Sequence, residues 1–101
     1  YEGIILDPPK YGRGTKGEIW RMEDNILELL TTIRAILSDQ PLFVILTSYA
    51  IRASFLSLHH VLSDVLADLD GSVSSGELAI AETHKLARQI GQANFARWQA
   101  K

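Results

Sequence analysis

The sequence predicts an α/β fold: a mainly parallel sheet whose last strand is antiparallel, covered by helices in three layers. Three observations carry this expectation. Two short apolar runs, Ile4–Leu6 and Leu42–Leu46, have the composition of parallel strands buried on both faces. Each is followed by a segment whose apolar residues recur every three or four positions, as on a helix lying against a sheet. Two further strand-like stretches then come with no helical stripe between them, so they are expected to pair antiparallel.

The first strand stops at Asp7-Pro8-Pro9. Neither proline has an N–H and both fix φ, so the strand's ladder ends there and Asp7 stands at its carboxyl end, ahead of stiff backbone. In open α/β sheets that edge is where ligands bind. Residues 7 to 20 read as a mobile loop rich in glycine (Gly12, Gly14, Gly17) and carrying Lys10, Arg13 and Lys16. A loop of this kind can fold over a substrate. Glu23 to Ser38 reads as a helix, with Ile26, Leu29, Leu30, Ile33 and Leu37 in one stripe and two acids at its positive N-terminal end. Pro41 separates it from the Leu42–Leu46 strand, which ends in Thr47-Ser48-Tyr49 beside Asp7 if the two strands are neighbours. Ser54 to Leu69 reads as a second helix with Leu58, Val61, Leu62, Val65, Leu66 and Leu69 inward. Gly71 is expected just past its end, at a position with positive φ. Ser72 to Gly76 reads as loop, Glu77 to Ala81 as a strand, and Ala93 to Gln99 as the last strand, with Phe95 and Arg97 on one face and Trp98 on the other.

The bulk properties exclude several classes. The chain has 101 residues, 47% hydrophobic and 22% charged, as in an ordinary globular domain. A net charge of -2 gives no global pull toward nucleic acid, so such contact needs a local patch. There is no cysteine, which removes disulfides, thiolate metal sites and a thiol nucleophile together. No apolar run reaches the roughly 20 residues of a membrane span, and nothing near Tyr1 resembles a signal peptide; a cytoplasmic location is expected. The chain opens on tyrosine almost inside a strand, which reads as a fragment of a larger domain.

The string Asp7-Pro8-Pro9-Lys10-Tyr11-Gly12-Arg13-Gly14 resembles the Asp-Pro-Pro motif of class I S-adenosylmethionine-dependent methyltransferases, in the branch that includes large-subunit ribosomal RNA methyltransferases. The resemblance extends to Phe95-Ala96-Arg97-Trp98. It implies the C-terminal half of a Rossmann-like catalytic domain over residues 1–101, with the N-terminal cofactor-binding half absent. In keeping with this, no Gly-rich cofactor loop directly follows a strand. It further implies S-adenosyl-L-methionine as cofactor, RNA as substrate, and the missing half of the domain as partner. Asp7, Pro8 and Pro9 are the implied catalytic residues. Asp7 and Pro8 also border the cofactor. Lys10, Tyr11, Arg13, Ser48 and Tyr49 are expected to contact the substrate.

For methyl transfer the protein mainly positions the nucleophile. Asp7 and the Pro8 carbonyl can both accept hydrogen bonds from an acceptor amine and orient its lone pair. In amino-methylating relatives an aromatic directly follows the second proline; here Lys10 stands there and Tyr11 comes next, which departs from an adenine N6 methylase. Cytosine C5 methylation needs a thiolate that adds to the ring, and Ser48 occupies the neighbourhood where related enzymes carry cysteine. Ser48 is expected to hydrogen-bond, not to attack. His59 and His60 are adjacent on a helix and do not share a face, so no metal site is expected. Trp20 is either a substrate contact or a cap on the following helix with Met22. The competing class is a non-catalytic α/β interaction module that pairs through an exposed strand edge, which also makes self-association of the isolated chain an expectation.

Overall fold

The computed structural model describes residues 1–49 and 51–101. Its elements are β1 (Gly3–Leu6), β2 (Tyr11–Arg13), β3 (Ile19–Arg21), α1 (Met22–Ile36), β4 (Phe43–Ser48), α2 (Phe55–Val65), β5 (Gly71–Ala81) and β6 (Gln89–Ala100). The main sheet has the order β1-β4-β6-β5. β1 and β4 pair in parallel, Ile4 opposite Val44 and Leu6 opposite Leu46. β6 is antiparallel to both β4 and β5. Thus β1, β4 and β5 point one way and β6 opposes all three: a mainly parallel sheet with a reversed last strand, as the sequence leads one to expect. That strand inserts between β4 and β5.

Period-2 alternation gives the sheet two faces. On β4, Val44, Leu46 and Ser48 are buried, whereas Phe43, Ile45 and Thr47 are half-buried. Leu30, Ile33 and Leu37 from the α1 segment, with Leu58, Leu62 and Leu66 from the α2 segment, close over Val44, Leu46, Ala96 and Trp98. The 3.6-residue stripes therefore make the core they promise. The three-layer expectation does not hold for this chain. Both helices lie side by side on the Val44 face, in contact with each other. The opposite face carries Ile5, Phe43, Ile45 and Arg97, and Ile5 is 69% exposed. The chain steps across the sheet in one direction, from β1 to β4 to β5, and right-handed crossovers taken in one direction leave their helices on the same face.

Local chemistry explains the helix starts. Ser54 Oγ accepts the Leu56 N–H at 3.1 Å, a side-chain cap for α2. Asn25 reaches back to accept the Arg21 N–H at 2.9 Å before α1. Trp98 faces the core and Arg97 is exposed, the alternation expected of β6.

Three local expectations are corrected. Gly71 does not take positive φ; it opens β5, where a Cβ would run into the Trp98 indole and the Gln99 carbonyl. Ser72–Gly76 is not a loop but the first half of β5, since β6 supplies the partners, Val73 opposite Trp98 and Ser75 opposite Ala96. Residues 7 to 20 are not one open loop: β2 and β3 form a small antiparallel hairpin, Gly12 opposite Trp20. The string Gly12-Arg13-Gly14-Thr15-Lys16-Gly17 has the spacing of a dinucleotide loop but leads into β3, not into a helix. It lacks the helix N-terminus that would cradle a phosphate. Gly17, at φ 81°, makes its turn, a backbone conformation that favours glycine. Among the described residues no helix is long and apolar enough to cross a membrane.

Candidate active site

The carboxyl ends of β1 and β4 meet where the two prolines stop the ladder. Thr47 Oγ1 donates to Asp7 Oδ1 at 2.6 Å, and lies 3.3 Å from the Leu6 carbonyl oxygen. The second carboxylate oxygen stays open on an exposed residue. Pro8 is half-buried and Pro9 exposed. The Pro9 carbonyl accepts the Trp20 indole N–H at 2.7 Å. The Lys10 carbonyl accepts the Met22 N–H at 3.0 Å, tying the motif to the start of α1. The Asp-Pro-Pro turn is thus anchored on both sides: by β4 through Thr47, and by the β2–β3 hairpin and α1 through Pro9 and Lys10.

The hairpin presents its polar side chains to solvent. Arg13 Nε donates to the Tyr11 hydroxyl at 3.1 Å, and the Lys10 side chain is exposed beside them. Between the hairpin and α1 lies an open groove of about 610 Å³, with Pro9, Arg13, Trp20, Leu29 and Thr32 in its wall. Trp20 therefore serves the motif directly, by fixing the Pro9 carbonyl, and also borders the groove.

The residues expected to act together fall into two groups. Asp7 and Thr47 share one face at the edge; Lys10, Tyr11 and Arg13 lie on the hairpin and its approach. Ser48 is elsewhere. It is buried on the opposite face from Thr47, across from Asn94 on β6. Its hydroxyl has no partner among the described residues. Tyr49 follows it, 49% exposed. The hydroxyl that meets Asp7 belongs to Thr47, and strand alternation could have named it: if Val44 and Leu46 point inward, so must Ser48. On α2, His59 is half-buried and its Nδ1 lies 2.8 Å from Ser75 Oγ, while His60 is exposed. Among the described residues no three His, Cys, Asp or Glu side chains are grouped to hold a metal.

A mainly parallel sheet with a reversed strand inserted before its edge, and an acid followed by two prolines at the carboxyl end of a parallel strand, is the arrangement that the methyltransferase resemblance implies. Solved structures bear on this. Over 100% of its length the chain is similar to a SAM-dependent methyltransferase from Agrobacterium tumefaciens, at 41% identity and a TM-score of 0.92, covering 34% of that protein. It is also similar in fold to SMU.776, whose structure is a complex with SAH, at 17% identity and a TM-score of 0.60, over 97% of this chain and 26% of that one. The chain thus spans about a third of the length of the Agrobacterium enzyme. These likenesses support a class I S-adenosylmethionine-dependent methyltransferase fold. No protein-family model matches the chain, and no curated protein matches it.

Proposed function

We propose that residues 1–101 are the C-terminal part of the catalytic domain of an S-adenosylmethionine-dependent methyltransferase that acts on RNA, ribosomal RNA in particular. The observation that carries the reading is the likeness, over all of this chain, to about a third of the Agrobacterium methyltransferase at 41% identity, with Asp7 standing at the sheet's carboxyl edge. When bound, S-adenosyl-L-methionine supplies an electrophilic methyl group on a good leaving group. This chain's residues fit a role beside it: an open carboxylate oxygen on Asp7 and the neighbouring Pro8 carbonyl are acceptors on rigid backbone, at the edge where such sheets bind ligands. They hold the acceptor's N–H groups and turn its lone pair toward the cofactor. Thr47 fixes the carboxylate. Pro9 and Trp20 fix the turn.

The RNA reading rests on local charge. Lys10, Arg13 and Lys16 are exposed on or beside the hairpin, with Tyr11 among them. Cations with an interleaved aromatic suit a phosphate backbone and an unstacked base. A cytoplasmic location accompanies that reading. The uncovered sheet face and the free edge of β1 are where the N-terminal half of the domain would pack, and without it they favour pairing with a second copy.

The test uses the full-length protein. Asp7→Ala should lower turnover by about 100-fold or more, the range of a lost positioning or proton-accepting group, while calorimetry shows a much smaller change in cofactor affinity. Equal turnover in variant and parent would sink the role of Asp7. Failure of the parent protein to bind S-adenosylmethionine would sink the enzyme reading and favour the interaction module.

A further inference from the structure

We propose that the full-length protein forms a two-fold dimer in which β5 pairs antiparallel with β5 of a second copy, centred on Ala79. The proposal stands on the shape of the β5–β6 hairpin and is independent of what the site does. Ser48, the last residue of β4, pairs with Asn94. Residues 78–81 and 89–93 therefore run on past the sheet with no third strand beside them among the described residues. They form an arm about 13 Å long at roughly 3.3 Å per residue. Residues 77–81 and 89–92 are all exposed, so both faces of the arm meet solvent. A two-stranded hairpin alone in water is marginally stable at best; further strands with an apolar face, or a covering layer, are what hold it.

The arm has an apolar side and an open edge. Ile80 stands opposite Ile90, and Leu78 lies two residues along on the same face. Ile80, Ile90 and Leu78 are 63%, 68% and 44% exposed. The other face holds the small or polar residues Ala79, Ala81, Gln89 and Gly91. β5 is also the edge of the sheet. At one end of the hairpin the Lys101 N–H donates to the Asp70 carbonyl at 3.2 Å, and near the other the Glu82 N–H donates to the Arg88 carbonyl at 2.8 Å. Even-numbered residues along β5 thus spend their backbone groups on β6. By alternation Glu77, Ala79 and Ala81 turn their N–H and C=O groups outward. β5 has no proline, lysine or arginine to blunt that edge.

The edge fits its own image, which is what a two-fold pairing requires and what selects a second copy as the occupant. Centred on Ala79, the pairing sets Ala79 against Ala79 and Glu77 against Ala81, all of them residues with outward backbone groups. It sets Leu78 against Ile80 of the second copy and Ile80 against its Leu78. With Ile90 beside each Ile80, two arms make a four-stranded ribbon with one continuous apolar patch. Charge and apolar contact fix the register. Glu77 is the one charged residue of β5, and centring the pair there would set it against itself, a destabilising like-charge contact. Centring on Gly76 would set Leu78 and Ile80 against Ser74 and Ser72. The Glu77 carboxylate already lies over Gly91 on β6, where a Cβ would collide with it, and so is turned away from the free edge.

The test is sedimentation of the full-length protein over a concentration series, with oxidative cross-linking of single cysteines placed on β5 in a background otherwise free of cysteine. The parent should sediment as a dimer. Ile80→Asp changes an exposed side chain and should weaken the dimer by roughly 100-fold or more. Ala79→Cys should cross-link to its own copy, because a hydrogen-bonded antiparallel pair sets Cα atoms about 5.5 Å apart, within disulfide reach. Ser72→Cys, far from the axis on the same strand, should not. If Ile80→Asp fails to fold, the two cysteine variants decide alone. A parent that stays monomeric overturns the proposal and leaves the arm to another part of the full-length chain. A folded Ile80→Asp variant that dimerises like the parent overturns it too, as does cross-linking at Ser72 that equals cross-linking at Ala79.

Discussion

Replacing Thr47 by valine removes one hydroxyl and keeps the shape of the side chain. The hydroxyl has a single proton, so it can donate to Asp7 Oδ1 at 2.6 Å or to the Leu6 carbonyl at 3.3 Å, and the shorter, charge-assisted bond prevails. A hydrogen bond to a charged group contributes about 1.5–3 kcal/mol when it is shielded from water. Asp7 is exposed, so in the variant water takes the place of the hydroxyl, and folding stability should fall by less than about 1 kcal/mol. On the proposed function, turnover depends on a different quantity, the aim of the carboxylate at the acceptor. If the bound acceptor excludes water, the full 1.5–3 kcal/mol is lost there, and the rate should fall roughly 10- to 100-fold. The assay is transfer of a labelled methyl group by the full-length protein, with thermal melting run in parallel. A variant that turns over within twofold of the parent at an unchanged melting temperature would refute the positioning role. A matching loss of cofactor affinity would move Thr47 from the acceptor to the cofactor.

Leu62 is 1% exposed between α2 and the sheet; Leu62→Ala should cost about 2–5 kcal/mol, read from denaturant midpoints. Trp20→Phe keeps the ring against the groove but loses the N–H to Pro9, and should cost about 0.5–1.5 kcal/mol and quicken proteolysis at the Asp-Pro-Pro turn. Arg34 pairs with Asp68 at 2.6 Å, and its hydrogen bond holds the Asp68 carboxyl below its ordinary value of 3.8. A depressed carboxyl adds stability above its unfolded pKa and loses it as pH falls through the lower folded value. Because both side chains meet solvent, the effect should be small and should fade with salt; acid melts of Asp68→Asn against the parent, at low and high ionic strength, check this.

The long, strongly periodic segments were legible from the sequence. β1, β4 and both helices stand where apolar spacing puts them, because burial on one face demands that spacing. The misreadings share a cause: partners distant in sequence decided the local structure. Ser72–Gly76 has the composition of a loop and becomes strand only because β6 lies beside it. The three-residue strands β2 and β3 are too short to show a period, and their hairpin is tied by contacts to Pro9 and Lys10. The bare sheet face was invisible to any pattern, since Ile5 and Ile45 have the same apolar character as the residues under the helices. The place of Asp7 at the carboxyl end of β1 was legible because prolines end a strand in a known way. The choice between Thr47 and Ser48 needed the inward set of β4, and one residue of register reverses it.

The insertion of β6 between β4 and β5 sets an order of events during synthesis. β5 reaches the rest of the sheet only through a strand that leaves the ribosome after it. Until then β4 has an open edge and β5 has no strand beside it, so the nascent chain must wait with two strands unpaired. The parallel pair β1–β4 closes over 36 or more intervening residues, which is itself slow. Folding of this segment should therefore be late and cooperative, completed in a single step when β6 docks. Changes along Phe95–Trp98 should act first on the yield of folded protein, before any effect on a finished molecule can be measured.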